Sequence, residues 1–283
     1  MKYLLLIITL LLSSPSWGET VSMDDLVERN DLYYKKFTDT PFTGEVSRKN
    51  NGKIKNGKIK NGKQEGLWKI YHENGQLNIK QTYKDGKLDG LQESYYENGK
   101  LEETITYKNG EYEGLAEVYR ENGQLNIKQT YKDGKLDGLQ ESYYENGKLE
   151  EKITIKNGQL NGLWEEYYQD GQLNIKQTYK DGKLDGLFEE YYQNGQLKIK
   201  TTYKNGEYEG LAEAYYENGQ LKAKGMVRDG KKVGLWEEYY ENGQLQEKGT
   251  YKDGEKDALW EEYNKDGTIK SSATYKNGVK VTD

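Results

Sequence analysis

Few side chains in this 283-residue chain could do chemistry, and their spacing limits what that chemistry could be. There is one histidine, His72, and no cysteine. A lone histidine with no motif-bearing nucleophile builds neither a triad nor a His-rich metal site. Acidic pairs recur, as at Glu165 and Glu166. Adjacent residues of a strand face opposite ways, so such a pair cannot share acid and base work. Lys84-Asp-Gly-Lys-Leu-Asp-Gly90 has the composition of a calcium loop without the alternating ligand spacing of one. The Asn-Gly and Asp-Gly steps lack the strand–loop–helix context of a phosphate loop. No catalytic residue, metal or cofactor is expected.

What remains is aromatic. The chain holds 27 Tyr and 5 Trp, and from Gly66 onward they recur on a 24-residue period. Numbering each unit from its leading residue, copies begin at Gly66, Gly90, Gly114, Gly138, Gly162, Gly186, Gly210, Gly234 and Ala258. Position 2 is always Leu, position 6 always Tyr, and positions 10 and 21 always Gly. A strict period of this kind marks a stacked array in which each unit meets its neighbours. Two Asn-Gly or Asp-Gly signals per unit make each unit an antiparallel hairpin. The expected fold is all-β, an elongated single-layer antiparallel ribbon of nine stacked hairpins.

Both turns are expected to be three-residue loops with a left-handed glycine, a type I turn plus bulge. That geometry places positions 2, 6, 12 and 18 on one face. Leu67, Tyr71, Leu77 and Tyr83 then form a structural ladder, as do Leu163, Tyr167, Leu173 and Tyr179. The other face carries the variable positions 3 and 7. Trp68, Tyr96, Trp164, Tyr168, Phe188, Tyr192, Tyr216, Trp236, Tyr240 and Trp260 lie there and are expected to be exposed partner-binding anchors. His72 occupies position 7 and reads as one more variant of that face.

The ends differ from the array. Lys2, the apolar run from Tyr3 to Leu12, and Ser16 with Gly18 read as a signal peptide cleaved after Gly18. The apolar run is too short to span a membrane. The expected divisions are 1–18 as signal, 19–65 as an N-terminal cap with a degenerate repeat, and 66–283 as the array. In the cap, Ser22 and Asp25 suggest a capped short helix. Residues 32–37 and 42–46 read as strands, and 54–63 as an irregular or short hairpin segment. Residues 73–103 and 121–151 are identical, which points to recent duplication of units.

The formal net charge is −6, with both signs interspersed in every unit. No basic stripe is available for nucleic acid or anionic lipid. The absence of cysteine in an exported chain excludes disulfides and suggests a bacterial product.

The unit G-L-W-x-E-Y-Y-x-N-G-Q-L…Y-K-D-G-K resembles the MORN repeat in its bacterial variant form. The segment Asp25-Leu-Val-Glu-Arg-Asn-Asp-Leu-Tyr-Tyr-Lys-Lys-Phe…Pro-Phe-Thr-Gly-Glu45 resembles the start of YwqK-family antitoxins. The resemblance implies stacked β-hairpins, a role in protein interaction, and no particular activity. Tyr-Tyr followed by Asn-Gly also resembles the hairpin repeats that bind choline or glucan, with a different Trp spacing. The expected function is a non-enzymatic, exported protein that binds another protein in the envelope. An antitoxin or immunity protein, and a wall-glycan or choline binder, are the alternatives.

Overall fold

The computed structural model describes residues 20–50 and 53–281. The apolar leader and its cleavage point lie outside the described residues. Contacts divide the chain into two compact units, one ending at Glu111 and one beginning at Tyr112. In each, antiparallel strands follow one another in chain order. The all-β stacked-hairpin fold expected from the period is the fold observed.

The first turn of each hairpin has the expected form. His72 N–H donates to Gln76 O at 2.8 Å, and Gly75 N–H to His72 O at 3.0 Å. Gly75 closes this three-residue loop at φ 84°. An L side chain is disfavoured there, which accounts for the invariant Gly.

The second turn corrects the expectation. Lys84 pairs directly with Lys87, so the loop is two residues long. Asp85 has φ 50° and Gly86 φ 85°. Two consecutive positive φ values make a type I′ turn, whose twist matches that of the flanking strands. Asp or Asn precedes the glycine because these residues tolerate the left-handed region.

A second departure sets the faces. Within a hairpin Tyr71 pairs with Leu77, but Ile70 pairs with Ile79. One residue on the returning strand, Asn78, is bulged out. Beyond the bulge the register pairs Trp68 with Gln81 and Gly66 with Tyr83. Because side chains alternate with period two, a one-residue slip moves every later side chain to the other face. Leu67, Tyr71 and Leu77 therefore share one face, while Tyr83 joins Trp68 on the other. The same holds for Leu163, Tyr167 and Leu173 against Tyr179 and Trp164. The expected four-residue ladder is thus split three and one.

Between hairpins, positions 24 to 2 bulge outward past position 17. Tyr131 pairs with Leu136, yet Gln129 pairs with Gln140. Gly138 sits in this bulge at φ 123°, and a Cβ there would lie 3.1 Å from Thr130 Cβ. The positive φ recurs at each leading glycine, from 68° at Gly66 to 126° at Gly186, and accounts for the residue there.

The N-terminal segment closes the first unit. Val21–Ser22 pairs in parallel with Val46 and Ser47. Ser22 Oγ accepts the Asp24 N–H at 3.2 Å and caps a short 3-10 turn, Met23–Asp25. Leu26–Arg29 and Leu32–Lys35 make a separate small hairpin. Val21, Leu26, Val46, Ile59 and Trp68 form a buried cluster. The strand expected over 32–37 stops at Lys35, and Phe37 lies in a turn at φ 65°. The strand expected to start at Phe42 starts at Gly44. The segment expected to be irregular or a short hairpin carries one continuous strand, Lys53–Lys60, paired on both sides, which turns at Asn61 and Gly62 into a hairpin with the strand from Lys63.

Candidate interaction surface

The face carrying positions 3, 16 and 18 is the buried one. Trp68 is 0% exposed, Trp236 8% and Trp260 4%, so these three are not the exposed anchors expected from the sequence. Their burial needs no second layer of secondary structure. Each indole lies over a glycine of the preceding strand. A Cβ on Gly57, Gly225 or Gly249 would come within 2.1 Å of the Trp68, Trp236 or Trp260 ring respectively. The Trp236 and Trp260 indole N–H groups donate to Met226 O and Thr250 O at 3.1 and 3.2 Å.

Position-18 tyrosines pack at the edge of the same row. Ring centroids are 5.9 Å apart for Trp68 and Tyr83, 5.7 Å for Trp164 and Tyr179, and 5.9 Å for Phe188 and Tyr203. Edge and tilted pairs of this kind are the favourable arrangements of aromatic quadrupoles. In the last three units, beginning at Gly210, Gly234 and Ala258, a lysine replaces the usual Leu or Tyr at position 23. Lys232 sits 4.2 Å above the Trp236 ring and Lys256 3.7 Å above the Trp260 ring. Trp164 departs from the glycine rule and pairs with Ile153.

Position 7 joins consecutive units. The hydroxyls of Tyr168, Tyr192, Tyr216 and Tyr240 donate to the carbonyls of Tyr191, Tyr215, Tyr239 and Tyr263 at 2.8–2.9 Å. Tyr144 does the same to Tyr167. His72 substitutes for tyrosine here, its Nε2 lying 2.7 Å from Tyr95 O. A carbonyl only accepts, so Nε2 carries the proton. Arg120 reaches Tyr143 O in the same way, at 2.6 Å. Tyr96 occupies the equivalent position and has partners of its own. Position 9 adds a second link. Asn194 Nδ2 donates to Glu217 O at 2.9 Å, while its Oδ1 accepts from Gln196 N–H. A third comes from position 24, where Asp185 accepts the Asn205 N–H at 3.0 Å. Variation at position 7 therefore keeps one function, a donor long enough to reach the next unit.

The opposite face is the open one. Leu67, Leu91, Leu115, Leu139, Leu211, Leu235 and Leu259 are all exposed, from 37% at Leu139 to 56% at Leu235. These are position-2 residues, expected as framework and found at the surface. Beside them runs a charged ladder. Lys224 meets Glu237 at 2.7 Å and Lys248 meets Glu261 at 2.9 Å. Tyr239 and Tyr263 donate to those same glutamates at 2.9 and 3.0 Å. Burial foremost, with the adjacent Glu carboxylate, pushes Tyr119, Tyr143, Tyr167 and Tyr191 up to about 12. Lysine keeps Glu237 and Glu261 below their ordinary value, chiefly through the hydrogen bond. In the second compact unit the result is an apolar stripe, open at Leu115, Leu139, Leu211, Leu235 and Leu259 and half-buried at Leu163 and Leu187, bordered by paired charge. Similar groups recur along it from one repeat to the next.

The sequence carries a signal for the buried row. Glycine stands eleven residues before Trp68, Trp236 and Trp260. That spacing places the pair side by side across the strand boundary.

Among the described residues no helix is long and apolar enough to cross a membrane. No curated protein matches the chain. The MORN repeat variant pattern matches it nine times, at residues 64–85, 88–109, 112–133, 136–157, 160–181, 184–205, 208–229, 232–253 and 256–277. Each match starts just before the position-2 leucine, takes in the first turn, and ends one residue short of the second-turn glycine. With most of its length inside these matches, the chain belongs to the MORN repeat variant family.

Proposed function

We propose that this chain is an exported, non-enzymatic scaffold that binds a protein partner in the bacterial envelope. The observation that carries the reading is the exposed leucine stripe. Apolar side chains repeated along one face are a surface for association, and a run of similar positions gives a partner several footholds in register. Lys2, the apolar run after it, and Ser16 with Gly18 support export. The resemblance of 25–45 to YwqK-family antitoxins makes an envelope-acting toxin one candidate partner.

The test uses three exposed leucines, Leu211, Leu235 and Leu259, each replaced by Ser. Exposure predicts that the triple variant keeps its melting temperature. It should lose most of the envelope protein recovered with the parent chain after cross-linking in cells. The mature N-terminus should be Glu19. Full recovery of the partner by the triple variant sinks the stripe, and a cytosolic protein starting at Met1 sinks export.

A further inference from the structure

The open stripe changes character in one place. Position 17 is Thr in eight of the nine repeats and Met226 in the other. Of the position-24 residues that a further repeat follows, only Val233 is apolar. The two exceptions meet: Met226 pairs across the strands with Val233 on one side and with Leu211 on the other. Met226 is 43% exposed, while Leu211, Leu235 and Leu259 are 47%, 56% and 53% exposed. Val233 is half-buried. All five belong to the second compact unit.

Valine at 233 lacks a link that its counterparts make. Asp185 accepts the Asn205 N–H at 3.0 Å, and Glu209 accepts the Asp229 N–H at 3.1 Å. Asn161 reaches Asp181 instead, also at 3.1 Å. A valine side chain has no acceptor, so Asp253 receives no such bond from position 233. Losing a turn hydrogen bond costs stability, and no packing of Met226 offsets it, because that side chain is open to solvent. An apolar pair that weakens its own turn and lies open is accounted for by a surface that covers it.

We propose that Leu211, Met226, Val233, Leu235 and Leu259 form a docking face for the same face of a second copy of this chain. This rests on the protein-binding reading above and names the partner at the last three repeats. The area suffices. Leu211, Met226, Leu235 and Leu259 together open about as much surface as two whole side chains, on the order of 400 Å². A standard interface buries about 800 Å² per partner, of which a little over half is apolar. The face therefore supplies the apolar share of one such interface. Its repeat also fits a copy. The three leucines recur on every second strand, about 9.6 Å apart. A second copy carries the same pitch and the same twist, so the two rows match about a two-fold axis. Antiparallel sheets stack in this way about 10 Å apart, with the side chains of the facing layers interdigitating. The bordering charges do not oppose contact, since Lys224 and Lys248 are already matched by Glu237 and Glu261. Met226 suits the middle of the face, because its unbranched thioether adapts to an opposing surface.

The test follows association and folding separately in the chain purified from the cells that make it. Sedimentation over roughly 1–100 μM should show a monomer–dimer equilibrium. Met226→Thr with Val233→Glu restores the residue types of other repeats, with Glu meeting Asp253 as Glu209 meets Asp229. The double variant should associate about tenfold more weakly while its melting temperature holds or rises. An apolar pair that served only the fold would lower the melting temperature and leave association untouched. p-Benzoylphenylalanine at position 226, and separately at 235, should cross-link two copies in cells through peptides within 211–259. Cross-links at these positions only to a different protein overturn the second copy and leave the protein-binding reading standing. No protein cross-link at either position overturns both. A monomer across the whole concentration range, undiminished association of the double variant, or Met226-dependent pelleting with phosphatidylglycerol vesicles overturns the proposed face.

Discussion

Gly249 and Trp260 occupy one space: a Cβ on the glycine would stand 2.1 Å from Cδ2 of the indole. The tryptophan is buried because its neighbour across the strand boundary has no side chain. Gly249→Ala is therefore expected to displace the indole and cost about 1–3 kcal/mol, the range for overpacking. Trp260→Ala should cost about 3–5 kcal/mol through the cavity it leaves. The double variant should cost less than the sum, because the clash disappears with the ring. Urea midpoints of the four proteins decide it. An unchanged midpoint for Gly249→Ala would mean that the indole does not lie on the glycine.

Tyr168→Phe deletes the hydroxyl that donates to Tyr191 O at 2.8 Å. The carbonyl loses its side-chain partner, and a cost of about 1 kcal/mol is expected. In a stacked array the loss should be local. Amide exchange should quicken around Tyr168 and Tyr191 and stay unchanged around Tyr240. A uniform rise along the chain would contradict a link that acts only between neighbours.

Four position-6 tyrosines, Tyr119, Tyr143, Tyr167 and Tyr191, are pushed up to about 12 by burial and a neighbouring glutamate. Unfolded tyrosine titrates near pH 10. Between these values the folded chain holds protons that the unfolded chain has released, so stability falls as pH rises. The contribution is complete below about pH 10 and disappears through about pH 12. Urea midpoints at pH 8 and pH 11 should differ accordingly. Glu165→Gln removes a carboxylate that raises Tyr167, so that tyrosine should titrate lower. A flat midpoint across this window would show that the phenols are not perturbed.

Much of this protein is legible from its period alone. The invariant Leu, Tyr and Gly positions define hairpins, and the glycine at position 10 requires the three-residue first turn. The second turn was less readable, because Lys-Asp-Gly fits a three-residue loop as well as a two-residue one. The bulge at position 13 carries no mark, since Asn78, Glu102, Asn126 and Glu150 there would suit an ordinary strand. That unmarked residue reverses the face of Tyr83 relative to Leu67. It also explains why the leucines, not the tryptophans, lie open to solvent.

By itself the sequence determined the repeating hairpin, because period and turn chemistry are local properties of the chain. Tertiary structure decided which face is buried and where a partner can reach. Those outcomes depend on register, and register is set by how strands meet across bulges and turns. It decided as well that Met226 and Val233 meet on the open face. The two-residue turn at Asp229 and Gly230 sets that pairing, and it forms only when the two strands close on each other.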